Sequence, residues 1–137
     1  MARRVRYRAD ASTLAEWPNT FWAERIEIGV TREFVSALQQ QLPGWFVCDT
    51  SCGNQVPVFT LQVDMAPMDY VRAAQKLQAR VHISLSGGAT QNVLKMQELA
   101  FELPSGADTP QAQAQTMTEL LRRTAAATAP LVLAARP

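Results

Sequence analysis

A chain of 137 residues, 47% hydrophobic, with a formal net charge of +1, is the size of one domain and can bury a core of its own. The balanced charge removes the electrostatic case for a nucleic-acid partner; four arginines in the first eight residues are ordinarily solvated surface beside a strand. No apolar run approaches bilayer length and the N-terminus has no signal-type apolar stretch, so the chain as written is expected to be soluble.

Val5 to Arg8 alternates apolar and charged residues, as an edge or half-buried strand does, and a second extended piece covers Thr13 to Glu16. Trp17, Phe21 and Trp22 then set three large rings around Pro18 within six positions, more apolar area than a surface loop normally carries. This corner reads either as a core anchor for the next helix or as an interface to a partner, the setting in which tryptophan beside arginine forms binding hot spots. Pro18 and Asn19 predict a turn, and a helix is expected from about Arg25 to Glu27, where Glu24 and Glu27 suit the positive end of its dipole. Val30, Phe34, Val35, Leu38 and Leu42 share one face of that helix, a face that has to be covered. Pro43 and Gly44 end it.

Trp45 to Cys48 predicts a short strand, and the loop from Asp49 to Pro57 holds both cysteines between Gly, Ser and Asp residues. Three residues separate Cys48 from Cys52, a spacing that suits a short-loop disulfide in an oxidising compartment, the alternative being two free thiols. Two thiolates are half a zinc site, and His82, the one histidine, stands about thirty residues away; no metal is expected.

The middle of the chain is the most regular. Phe59, Leu61, Val63 and Met65 alternate with Thr60, Gln62 and Asp64, and Leu77, Ala79, Val81, Ile83 and Leu85 alternate with Gln78, Arg80, His82, Ser84 and Ser86, which predicts two long strands. The stretch from Ala66 to Lys76 is too long for a tight hairpin and is expected to carry both strands beyond the sheet. Gly87-Gly88 predicts a turn into a third strand from about Asn92 to Leu103, whose first half is irregular enough to suggest a bulge or an exposed end. After a breaker-rich loop, either Thr109 caps a helix with Pro110 at its first position, or Asp108 and Gln111 form a capping box. Met117, Leu120, Leu121, Thr124 and Thr128 make its stripe, and Pro130 is expected to kink or end it. The fold class is α/β bordering on α+β: one domain over residues 1–137, with a mixed, largely antiparallel sheet of about five strands and two main helices packed on it.

The chain contains no phosphate-binding glycine loop, nucleophile elbow or paired carboxylates that stand out, so no catalytic residue and no cofactor are expected. His82 with Asp64 on the neighbouring strand is a weak catalytic pair, because alternation cannot tell whether the two are in register. Gln62, Asp64, Gln78, Arg80, His82 and Ser84 line a polar sheet face that is either solvated or the lining of an oligomer or channel.

Tyr7-Arg8-x-Asp10, then LAEWPNTFWAE leading into TREFVSALQQQL, resembles the ABC-type transport auxiliary lipoproteins, the family that includes the paraquat-inducible lipoprotein. Trp22-Ala23-Glu24 matches its Trp-Ala-Glu step, with Arg25 where a proline is usual. A Phe-Thr-Leu-x-Val-Asp strand at Phe59 to Asp64, a second long strand, a Phe-to-Pro exit after Phe101 and an alanine-rich last helix continue the likeness over nearly the whole chain. The resemblance implies an anticodon-binding-domain-like fold. It also implies a non-enzymatic accessory component of an envelope lipid-transport system, in the periplasm and associated with the outer membrane. Its partners would be MCE-type and ABC transporter subunits, with a homo-oligomer as a further expectation. Family precursors carry a signal peptide and a lipobox cysteine that this chain lacks, so membrane attachment is expected only through an anchor outside it. From another class, the competing expectation is a domain that binds a small amphipathic ligand between helix and sheet, which an apolar pocket of sufficient size would favour.

Overall fold

The computed structural model describes residues 4–10, 13–21, 26–49, 52–54, 56–87 and 92–135. It is an α+β fold in two layers. The elements are β1 (Arg4–Asp10), β2 (Thr13–Phe21), α1 (Ile26–Gln41), β3 (Phe59–Val71), a 3-10 turn (Arg72–Ala74), β4 (Lys76–Gly87), β5 (Asn92–Pro104) and α2 (Pro110–Ala134). The sheet order is β2-β1-β3-β4-β5, antiparallel throughout except where β1 meets β3.

β4 is the centre of the sheet because its alternation is unbroken: Val81, Ile83 and Leu85 are fully buried, while the residues between them face the opposite side. α2 covers this inward face. Its stripe, Met117, Leu120, Leu121, Thr124 and Thr128, is buried as the 3.6-residue period requires. The hydroxyls of Thr116, Thr124 and Thr128, which would be costly to bury unpaired, donate to the carbonyls four residues earlier at 2.7, 2.8 and 2.7 Å. Thr109 is the N-cap: its side chain accepts from Ala112 N at 3.1 Å, with Pro110 in the first turn. The capping box does not form; Asp108 turns instead to Arg72 and Tyr70.

Four expectations are corrected. Pro18-Asn19 does not turn the chain; β2 continues through it, taking up three more residues than β1 between the pairs Arg4↔Phe21 and Arg6↔Glu16. Trp45 to Cys48 is not a strand, because the Gln39 side chain takes its backbone groups: Nε2 donates to Trp45 O at 2.5 Å and Oε1 accepts from Val47 N at 2.9 Å. The stretch after Met65 stays in the sheet, paired out to Val71↔Lys76. One extra residue at the cis Ala66-Pro67 bond forms a bulge, the strand setting that tolerates a residue without an N–H. That bulge switches the inward set on β3 from Phe59, Leu61, Val63 and Met65 to Met68 and Tyr70. Pro130 does not end α2, which runs on to Ala134; Pro130 is exposed, on the solvent side of the helix. The irregular start of β5 is a bulge at Leu94, between Leu85↔Lys95 and Ser86↔Val93, and the turn expected at Gly87-Gly88 falls on residues 88–91, outside those described.

The core has two clusters. One gathers Val5, Trp17, Tyr70, Leu77, Leu103, Met117 and Leu120; the other gathers Leu38, Leu42, Leu85, Ala125, Ala129 and Val132. α1 packs chiefly on α2, and its apolar face is covered at Leu38 and Leu42 but only half-buried at Val30, Phe34 and Val35. Between that face and β3 the layers do not close.

Candidate functional site

That gap is a groove of about 920 Å³. One wall is α1, from Val30 through Phe34 and Val35 to Leu42; the floor is β3, with Leu61, Val63, Met65 and Met68. Gly44 to Asp49, Cys52 and Val56 to Val58 form the third side. Gly44 at φ 88° follows Pro43 and reverses the chain there. Trp45 stacks on Phe59 with ring centroids 5.9 Å apart, and Gln39 fixes the turn as described above. Farther along, Cys48 and Cys52 are joined by a disulfide with Cα atoms 5.3 Å apart. Among the described residues the lining is mostly hydrocarbon, aromatic ring and sulfur, with Thr31, Trp45, Asp49 and Thr60 its side chains able to hydrogen-bond. Phe46, Val56 and Val58 are 66, 89 and 61% exposed at the rim, an apolar mouth larger than scattered surface residues explain.

The groove is open because the sheet falls away beside it. β1 pairs with β3 only at Arg8↔Val71, so among the described residues the first part of β3 has β4 alone as its ladder partner. Its inward side chains are half-buried, whereas those of β4 opposite are fully buried.

Of the corner rings, Trp17 is buried in the core, in contact with Tyr7 and Tyr70 at centroid distances of 5.0 and 6.4 Å. Its Nε1 donates to Gln113 Oε1 at 2.7 Å, and the Arg72 guanidinium lies 4.3 Å over its ring. Arg72 also donates to Asp108 at 2.9 Å, and the Tyr70 hydroxyl donates to the same carboxylate at 3.2 Å. Burial pushes the Tyr70 hydroxyl above its usual pKa. The Phe21 side chain and all of Trp22 lie outside the described residues.

The polar face of the sheet is on the side away from both helices. Asp64 and His82 are directly opposite each other, and Glu98 is opposite His82 on the next strand. His82 Nδ1 lies 3.5 Å from Glu98 Oε1, while Asp64 accepts a long contact from Gln62 at 3.5 Å. The groove described above is on the other face of the sheet and is not lined by these groups. Among the described residues no cluster of three His, Cys, Asp or Glu side chains could hold a metal ion. No helix among them is long and apolar enough to cross a membrane.

Alternation marked the groove floor as ordinary core, and helical spacing did the same for its wall. The signal that was passed over is the loop: Trp45, Phe46, Val47, Val56 and Val58 flank the cysteines in a segment otherwise rich in Gly, Pro, Ser and Asn. Such a loop carries more apolar area than a solvated connection needs.

Two solved structures share the fold. A crystal structure of an uncharacterized protein matches with a TM-score of 0.80 at 18% identity, covering 95% of this chain and 81% of the other. Protein XCC0632 from Xanthomonas campestris, of family-model DUF330, matches with a TM-score of 0.78 at 16% identity, covering 96% of this chain and 74% of the other. No curated protein matches the sequence. The model of the ABC-type transport auxiliary lipoprotein components matches residues 2–129, which takes in α1, the whole sheet, α2 as far as Ala129 and the groove lining but for Val132; the chain belongs to that family.

Proposed function

We propose that this chain is a non-enzymatic accessory component of an envelope lipid-transport system, acting through contacts with MCE-type and ABC transporter subunits. The observation that carries this reading is the family match across residues 2–129. Its place is the periplasm, on the outer-membrane side, held there by a lipid anchor. The exposed polar sheet face supports an oligomeric arrangement, since Gln62, Gln78 and Arg80 offer hydrogen bonds without an apolar penalty when the surface is free. Because Trp17 is committed to the core, partner contacts from the aromatic corner would have to come from Phe21 and Trp22. The test is affinity purification of the tagged chain from detergent-solubilised envelopes of its own cell. MCE-type and ABC transporter subunits are expected with it; a chain that purifies without them would overturn the reading.

A second reading is favoured by the groove: a small amphipathic ligand held between helix and sheet. A volume of about 920 Å³ is at the upper end of ordinary ligand pockets. The two readings are compatible, because an accessory component can hold what the transporter moves.

A further inference from the structure

We infer that the groove between α1 and β3 is a site for one hydrocarbon chain of a single-chain amphiphile, recognised by chain length and indifferent to the headgroup. This rests on the ligand-binding reading above and narrows it to a chemical class.

Three observations select that class. The groove follows α1 from Val30 to Leu42, a length of about 18 Å at the helical rise. Spread over that length, 920 Å³ is a channel on the order of 50 Å² in section, room for a flexible chain laid along it. An extended peptide does not suit it. The amide groups of β3 lie in the plane of the sheet, so a backbone laid over Leu61, Val63 and Met65 would meet hydrocarbon and leave its own N–H and C=O groups without partners. A hydrocarbon chain makes no such demand.

The second observation is charge. Among the described residues the groove lining contains no Lys, Arg or His, and its one ionisable side chain outside the disulfide is Asp49. None of these side chains is built to hold a phosphate or carboxylate, so the headgroup is placed at the mouth, in water. The third is the rim. Phe46, Val56 and Val58 are large apolar side chains left exposed around the opening, where they would lie against the first methylenes of a chain as it leaves the groove.

The test is titration of the intact, disulfide-bonded protein with monomeric amphiphiles, read by calorimetry or by native mass spectrometry. One series keeps the headgroup, as alkyl phosphocholines from octyl to hexadecyl. A second keeps a dodecyl chain and changes the head from carboxylate to phosphocholine to maltoside. The expected result is one site, with affinity rising about fourfold per methylene and levelling off at roughly fourteen carbons, the length of an extended chain matching about 18 Å of helix. The three dodecyl compounds should bind within about threefold of one another once transfer of the same chain sets the affinity. Val63→Trp on the floor and Val35→Trp on the opposite wall, both at half-buried positions facing the groove, should each weaken binding at least tenfold. Their urea midpoints show whether they are folded, and one folded variant is enough for the comparison. Binding that follows the headgroup, or prefers a two-chain phosphatidylcholine, would overturn the single-chain inference and leave the ligand reading standing. Binding that both folded variants retain would put the site elsewhere and overturn the inference. No binding in either series would remove both the inference and the ligand reading.

Discussion

Trp17 on edge strand β2 donates its indole N–H to Gln113 on α2 at 2.7 Å, across 96 residues of chain. The same glutamine donates Nε2 to the carbonyl of Arg6 on β1, also at 2.7 Å. A single buried amide thus ties the outer strand pair to the helix that covers the centre of the sheet. This matters for the groove, because among the described residues β1 meets β3 at a single ladder position, supported by the Arg8–Asp69 contact at 3.3 Å and by the packing of Trp17 on Tyr70.

Gln113→Leu removes both bonds, leaving the indole N–H buried without its acceptor and the part-buried Arg6 carbonyl without this donor. The expected loss is about 2–3 kcal/mol, the desolvation penalty of orphaned groups outweighing the gain from burying leucine. Urea unfolding followed by tryptophan fluorescence measures it; a variant within about 0.5 kcal/mol of wild type would show that the amide contributes little.

Removing the disulfide with Cys48→Ser and Cys52→Ser frees a loop closed over five residues. Chain entropy puts the cost at about 2 kcal/mol. Reduction of the wild type by dithiothreitol should lower the urea midpoint by the same amount and leave the double variant unchanged.

Tyr70 supplies a pH dependence at the alkaline end. Its pKa is raised in the fold, chiefly by burial, so the folded state holds the phenolic proton more tightly than the unfolded chain. Its contribution is fully present below pH 10 and is lost as pH rises through the higher folded value. Tyr70→Phe should therefore differ from wild type less at alkaline pH than at neutral pH if the lost hydrogen bond to Asp108 is the main neutral-pH cost. Denaturation midpoints across pH 8 to 11 decide this.

On the outer face of α2, hydrogen bonds from Arg122 and then Arg123 pull the Glu119 carboxyl down to about 2. A depressed carboxylate stabilises the fold above its unfolded pKa near 4.5 and loses that contribution as pH falls toward 2. The three side chains are exposed at 2.9 Å separations, so solvent screens the effect on stability. The carboxyl titration itself is the better readout: carbon-detected NMR should give a midpoint near 2 in wild type, moving up in the Arg122→Ala, Arg123→Ala double variant.

How much of this was legible in the residues differs by element. The strict alternation of Leu77 to Leu85 and the helical stripe of Met117 to Thr128 already named the central strand and its covering helix, because each period is a property of the local backbone and survives in any tertiary setting. Tyr7-Arg8-x-Asp10, the Trp22-Ala23-Glu24 step with the helix after it, and the Phe59 to Asp64 strand were enough to point to the family. Pairing was not legible. Asp64 faces His82 because the four residues 72–75 close the hairpin at Val71↔Lys76 and one extra residue at Ala66-Pro67 resets the register, and a one-residue change at either place would have put the two on opposite faces. Nor did alternation reveal that Met65 and Met68 both point inward; the bulge at Ala66-Pro67 does that. The groove lay furthest out of reach. Val35 and Val63 are apolar and correctly spaced for a core, and whether two such faces touch or stand apart depends on where α1 rests. Its packing against α2 and the divergence of β1 from β3 settle that, and both are set by contacts between segments far apart in the chain, which no local period encodes.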